Sequence, residues 1–133
     1  MVIRRWILII GDFVEEFTSA QILEINKGLE QGLDMSIVMN TDFTALQIKT
    51  IRKGLELGVD ITPFADPKYD WKQLNEIVLG LNSGVNVKLY SDIRFDSKQM
   101  QLIRKGLENG VDVSTWAKPE IPATLMQRFM EVK

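Results

Sequence analysis

The sequence predicts an all-α protein: a short α-solenoid of four 26-residue helix–turn repeats with atypical N- and C-terminal caps. Two observations carry the prediction. A shift of 26 residues aligns the chain with itself four times without gaps. Gln21, Gln47, Gln73 and Gln99 share one column, and Ile25, Ile51, Ile77 and Ile103 another. Gly28, Gly54, Gly80 and Gly106 form a third, and Gly32, Gly58, Gly84 and Gly110 a fourth. The second observation is that every copy spells a helix with both ends written out. A stacked arrangement follows, because one amphipathic helix has nothing to bury its apolar face against.

Residues 1–16 do not match the repeat, and Trp6–Ile10 are expected to cover the open face of the first copy. Five apolar residues are too few for a signal-peptide core or a membrane span. Residues 17–42, 43–68, 69–94 and 95–120 are the four copies, within a single domain 1–133. Each opens on an aromatic (Phe17, Phe43, Tyr69, Phe95), followed by an N-cap (Thr18, Thr44, Asp70, Asp96) and a glutamine three residues on. That pattern is a capping box, with the aromatic placed to staple onto the fourth helical residue. Apolar positions such as Ile22, Ile25 and Leu29 then trace one helical face. The second glycine column ends each helix in the left-handed conformation, closed by Leu33, Val59, Val85 or Val111.

After the helix, Asp34, Asp60, Asn86 and Asp112 are read as turn residues opening a short 3₁₀ or α turn. Pro63, Pro67 and Pro119 exclude a long second helix. The first glycine column lies inside the helix, where glycine costs about 0.5–1 kcal/mol against alanine. Its recurrence therefore predicts a close approach by another group. Residues 121–133 keep Leu125, Met126, Phe129 and Met130 at helical spacing without the glycines, as a closing helix would.

Composition narrows the chemistry. The 133 residues include no cysteine and no histidine, which removes disulfides, Cys/His metal sites and His-dependent nucleophilic dyads. The absence of cysteine fits a reducing cytoplasm. A formal net charge of −2 argues against a dedicated nucleic-acid binder. The glycines follow helices, whereas a phosphate loop precedes one, and no cofactor motif is present. Stacked copies would hold the aspartates of the turn column about 10 Å apart, too far to share one ion. The chain reads as non-catalytic.

The fourth copy, from Phe95 and Asp96 through Gln99, Met100, Ile103, Arg104, Gly106, Leu107, Glu108, Gly110, Val111 and Asp112 to Ser114, resembles a short helical repeat of phage and conjugative-element proteins from anaerobic Gram-positive bacteria. The resemblance covers residues 17–118. It implies a bacterial cytoplasmic protein of a mobile element, without naming a biochemical role. In architecture the chain is also similar to leucine-rich-variant solenoids.

Two surfaces are candidates for function. Val78 and Leu79 replace the Arg-Lys pairs of the neighbouring copies, so they are expected to stand apolar in solvent and to meet a protein partner or a second copy. Trp71, one residue after an N-cap, is the aromatic expected at the surface; Tyr90 is counted in the same set, although core packing is the preferred reading of its column Phe64, Tyr90, Trp116. The alternative is a basic stripe for nucleic acid formed by Lys27, Arg52, Lys53, Arg104 and Lys105. The same charges also suit the negative ends of helix dipoles. Protein binding is preferred, with a host protein modulated or inhibited as the specific expectation.

Overall fold

A computed structural model describes residues 17–131, so the expected N-terminal cap, residues 1–16, lies outside the described residues. Among them every regular element is helical, with no β-strand. The α-helices are α1 (Ser19–Glu30), α2 (Ala45–Leu57), α3 (Trp71–Ser83), α4 (Ser97–Glu108) and α5 (Ala123–Glu131). Short 3₁₀ turns follow the first three at Met35–Val38, Thr62–Phe64 and Val87–Leu89. The segment after α4 makes a plain turn at positions 114–116.

The helix ends form as their residues dictate. Thr18, Thr44, Asp70 and Asp96 each accept a hydrogen bond from the backbone N–H of the glutamine three residues on. That glutamine's side chain in turn accepts from the N-cap backbone N–H. At the C-terminal ends Gly32, Gly58, Gly84 and Gly110 have φ of 77°, 77°, 80° and 74°, where a Cβ would be strained. The N–H after each bonds back to the carbonyl of Gly28, Gly54, Gly80 or Gly106, closing Schellman motifs. The polar turn residues cap as expected: Asp34, Asp60, Asn86 and Asp112 accept from Ser36, Thr62, Lys88 and Ser114 N–H.

Gly28, Gly80 and Gly106 have the predicted cause: the turn that follows each of these helices folds back onto it. A Cβ at Gly28 would meet the Met35 side chain; at Gly80, the Tyr90 hydroxyl and Val87 Cγ1; at Gly106, Val113 Cγ1 at 3.0 Å.

The chain divides into two compact units, Met1–Pro67 and Lys68–Lys133. The division falls one residue from the boundary between the second and third copies. In the first unit α1 packs on α2, over a core including Ile25, Met35, Val38, Ile48 and Ile51. In the second, α3 packs on α4 and α4 on α5, around Leu74, Ile77, Tyr90, Met100, Ile103 and Met126.

Two contacts between consecutive copies were not anticipated from sequence. The capping-box glutamines have a second task. While Oε1 of Gln73 caps α3, its Nε2 donates to the carbonyls of Ile93 (3.3 Å) and Phe95 (2.7 Å), just ahead of α4. Gln21 reaches Thr41 and Phe43 in the same way, and Gln99 reaches Pro119 and Ile121. One amide thus satisfies three backbone groups and fixes the spacing of two helices.

The second contact is ionic and recurs every 52 residues, not every 26. Glu24 on α1 accepts from Arg52 on α2 (3.0 Å), and Glu76 on α3 from Arg104 on α4 (2.7 Å). Each arginine also pairs with the glutamate one turn on, Glu56 or Glu108. Thr50 and Leu102 hold the glutamate's place in the other copies. Copies therefore come in pairs, an odd one carrying the acid and an even one the base.

Candidate interaction surface

The residues singled out in the third copy do not share a surface. Val78 is 2% exposed and Tyr90 0%. The expectation that Val78 faces solvent is corrected, and Tyr90 drops out of the partner-binding set in favour of the core, for a common reason: their columns point inward. Val78 stands in the column of Arg52 and Arg104, and those arginines are buried as well. The apolar side chain is thus the ordinary occupant of an inside position, and the arginines are the exceptions that need carboxylates. Tyr90 folds back over α3 and donates its hydroxyl to the Glu76 carbonyl at 2.6 Å, through the space left by Gly80. Burial, together with the acids Glu76 and Glu108 and against the pull of Arg104, pushes its phenol well above the ordinary range. It stays a neutral donor.

Trp71 and Leu79 do lie at the surface, 38% and 36% exposed. With Asn75 between them they form an i, i+4, i+8 ridge along α3. Beside that ridge the N-terminal halves of α3 and α4 enclose a cleft of about 230 Å³. Trp71, Lys72, Asn75, Lys98 and Gln101 line it. The Lys72 ammonium lies 5.8 Å from the Trp71 ring centroid. Glu76 is at its floor, already engaged by Arg104. An aromatic face flanked by two lysines suits an acidic and apolar ligand segment.

The basic stripe is broken up by the fold. Arg52 and Arg104 are held by Glu24 with Glu56, and by Glu76 with Glu108. Burial works against the Arg104 charge, but hydrogen bonds and the charges of both acids outweigh it and raise its pKa. These guanidiniums are interior ties, and their exposure for phosphate contact is corrected accordingly. Lys27, Lys53 and Lys105 remain at the surface, with Lys27 3.4 Å from Glu24.

Among the described residues no group of three acidic side chains is placed to hold a metal ion. No described helix is long and apolar enough to cross a membrane. The 52-residue alternation was open to sequence inspection, since Arg-Lys occurs only in copies two and four and the facing glutamate only in copies one and three. The class these features define is an all-helical protein of repeated, reciprocally capped helices. Compared with known proteins, the chain matches no family model, no curated protein and no solved structure.

Proposed function

We propose that the chain is a non-catalytic protein–protein interaction module, its four copies forming a short α-solenoid, that binds a protein segment bearing apolar and acidic side chains. The observation that supports this reading is the exposed Trp71–Leu79 ridge beside a cleft carrying Lys72 and Lys98. Buried aromatics dominate the energetics of such contacts, and an exposed tryptophan costs the free protein little to offer. In the setting that the repeat resemblance implies, the partner is a bacterial cytoplasmic protein that a phage or conjugative element modulates or inhibits.

The test is paired capture from the cytosol of such a host with the full chain and with Trp71→Ala/Leu79→Lys. Both positions are exposed, so circular dichroism and melting temperature stay unchanged. The expected result is loss of one specific protein from the variant's eluate, with retention by Leu23→Lys in the first unit. Identical capture by all three chains would place binding elsewhere. Retention of nucleic acid that depends on Lys53 and Lys105 would favour the basic-stripe alternative.

A further inference from the structure

Resting on the reading of the Trp71–Leu79 ridge as an interaction surface, we propose that the cleft beside it is the first of two consecutive subsites. Their ligand is a protein segment in extended, polyproline-type conformation that bears a carboxylate and an aliphatic side chain three residues apart.

The 26-residue repeat builds the cleft twice. A second one, of about 270 Å³, opens between α4 and α5 and is lined by Lys98, Leu102, Ala123, Thr124 and Gln127. Each of these stands 26 positions after a residue of the first cleft: Leu102 after Glu76, for example, Thr124 after Lys98 and Gln127 after Gln101. The two clefts therefore lie on one face of the second unit, at the same height along neighbouring helices, with Lys98 a wall of both. Their chemistry differs. The first has Lys72 and Lys98 on its walls, and the acid at its floor, Glu76, is already held by Arg104, so it suits a carboxylate. In the second the floor is the hydrocarbon of Leu102, and Thr124 stands where the first has its second lysine. That cleft suits an aliphatic side chain.

Distance sets the spacing in the ligand. Packed helices lie about 8–10 Å apart, and the two clefts are separated by the same interval. A polyproline-type segment has three residues per turn and rises about 3.1 Å per residue. Its side chains at i and i+3 thus point the same way about 9 Å apart and enter successive clefts. A β-strand presents alternate residues about 6.6 Å apart, which misses the interval. An α-helix reaches it only at i and i+7, with its main chain closed by its own hydrogen bonds.

A row of carboxamides favours a ligand whose main chain is open. Asn75, Gln101 and Gln127 occupy one column on α3, α4 and α5, where α1 and α2 carry Leu23 and Lys49. Asn75 and Gln101 line the first cleft and Gln127 the second. Each carboxamide offers both a donor and an acceptor, the complement of a peptide unit, at the interval of one polyproline turn. A polyproline backbone makes no internal hydrogen bonds, so its carbonyls are open to them. The bonds these amides already make are light and exposed: Lys98 Nζ donates to Gln101 Oε1 at 3.1 Å, and Gln127 Nε2 to Glu131 Oε1 at 3.5 Å. Trp71 at the rim adds an aromatic face of the kind that packs against proline-rich segments.

Fluorescence anisotropy with the full chain and three labelled hexapeptides tests the register. Two hold glutamate and leucine three residues apart in either order, Pro-Glu-Pro-Pro-Leu-Pro and Pro-Leu-Pro-Pro-Glu-Pro. The third, Pro-Glu-Pro-Leu-Pro-Pro, holds them two apart. One of the first two is expected to bind at least about tenfold more tightly than the third, and to lose that affinity when lysine replaces its glutamate. Thr124→Gln, an exposed position in the first turn of α5, fills the second cleft without adding charge. It should weaken the preferred peptide about tenfold and leave the version with alanine for leucine unchanged. Asn75→Ala/Gln101→Ala should weaken both versions. Equal affinity for the three peptides, or no binding of any, overturns the register. If Trp71→Ala/Leu79→Lys loses partner capture while the peptides bind equally, the interaction surface stands and the two-cleft register alone is rejected. Capture unchanged in that variant overturns the surface on which the register rests.

Discussion

The two units repeat one chemical arrangement and solve it differently. In the first, Arg52 reaches Glu24 and Glu56 through its terminal nitrogens and leaves a buried Nε without a partner. In the second, Arg104 offers Nε to Glu76 and a terminal nitrogen to both Glu108 oxygens at 3.0 Å. The turn that packs on the glycine differs as well: a flexible Met35 in the first unit, the anchored Tyr90 and Val87 in the second. Interior columns that tie copies together (glutamine, glycine, the Glu–Arg pair) are held constant, while their neighbours drift. The second unit spends its freedom on an exposed Trp71 and Leu79 where the first has Ser19 and Lys27.

The comparison is broken most severely at Val78. Val78→Arg copies the residue of the even repeats, but the residue one turn on is Asn82 instead of Glu56 or Glu108. A guanidinium placed there lacks its carboxylate, and chemical denaturation should show a loss of about 3–5 kcal/mol. Adding Asn82→Glu should recover part of it.

Next comes the glycine column. Gly80→Ala drives a methyl into the Tyr90 hydroxyl and Val87, disturbing the bond to Glu76, and is expected to cost about 2–4 kcal/mol. Gly106→Ala meets Val113 at 3.0 Å, which a few tenths of an ångström relieve, and should cost about 1 kcal/mol. Equal melting temperatures for the two variants would remove Tyr90 as the cause.

A smaller difference separates the ion pairs. Arg52→Met deletes an unsatisfied Nε along with its bonds, whereas Arg104→Met deletes a fully engaged group. The second should be the more destabilising by about 1 kcal/mol in urea melts.

Acid produces the mildest contrast. Hydrogen bonds from Ser36 and Ser114 hold Asp34 and Asp112 below the ordinary carboxylate range, and Arg94 does the same for Asp92. Glu108 is lowered too: burial opposes the shift, but bonds from Ser83 and Arg104 outweigh it. A depressed folded pKa means stability that is present at neutral pH and lost as pH falls through the folded value. Three of these four groups are in the second unit. Amide exchange below about pH 4 should therefore accelerate there more than in the first unit.

What the sequence by itself determined is whatever acts within a few residues along the chain. A threonine or aspartate three residues before glutamine caps its own helix, and a glycine at positive φ ends it. No neighbour is needed for either. The helices, their ends, the polar turn residues and the need for glycine at positions 28, 80 and 106 were therefore legible in advance. Which side of a helix is inside was settled by contacts some 20 to 28 residues distant. Arg52 and Val78 look like a surface cation and a surface deviant in one dimension. They prove to be alternative occupants of one interior column, because a glutamate 28 residues before each arginine offsets the cost of burying its charge. The same distance hid the second task of the glutamines. It also left Leu125 and Phe129 uncovered: their helical periodicity was plain, but only packing shows that α5 has no following helix against that face among the described residues.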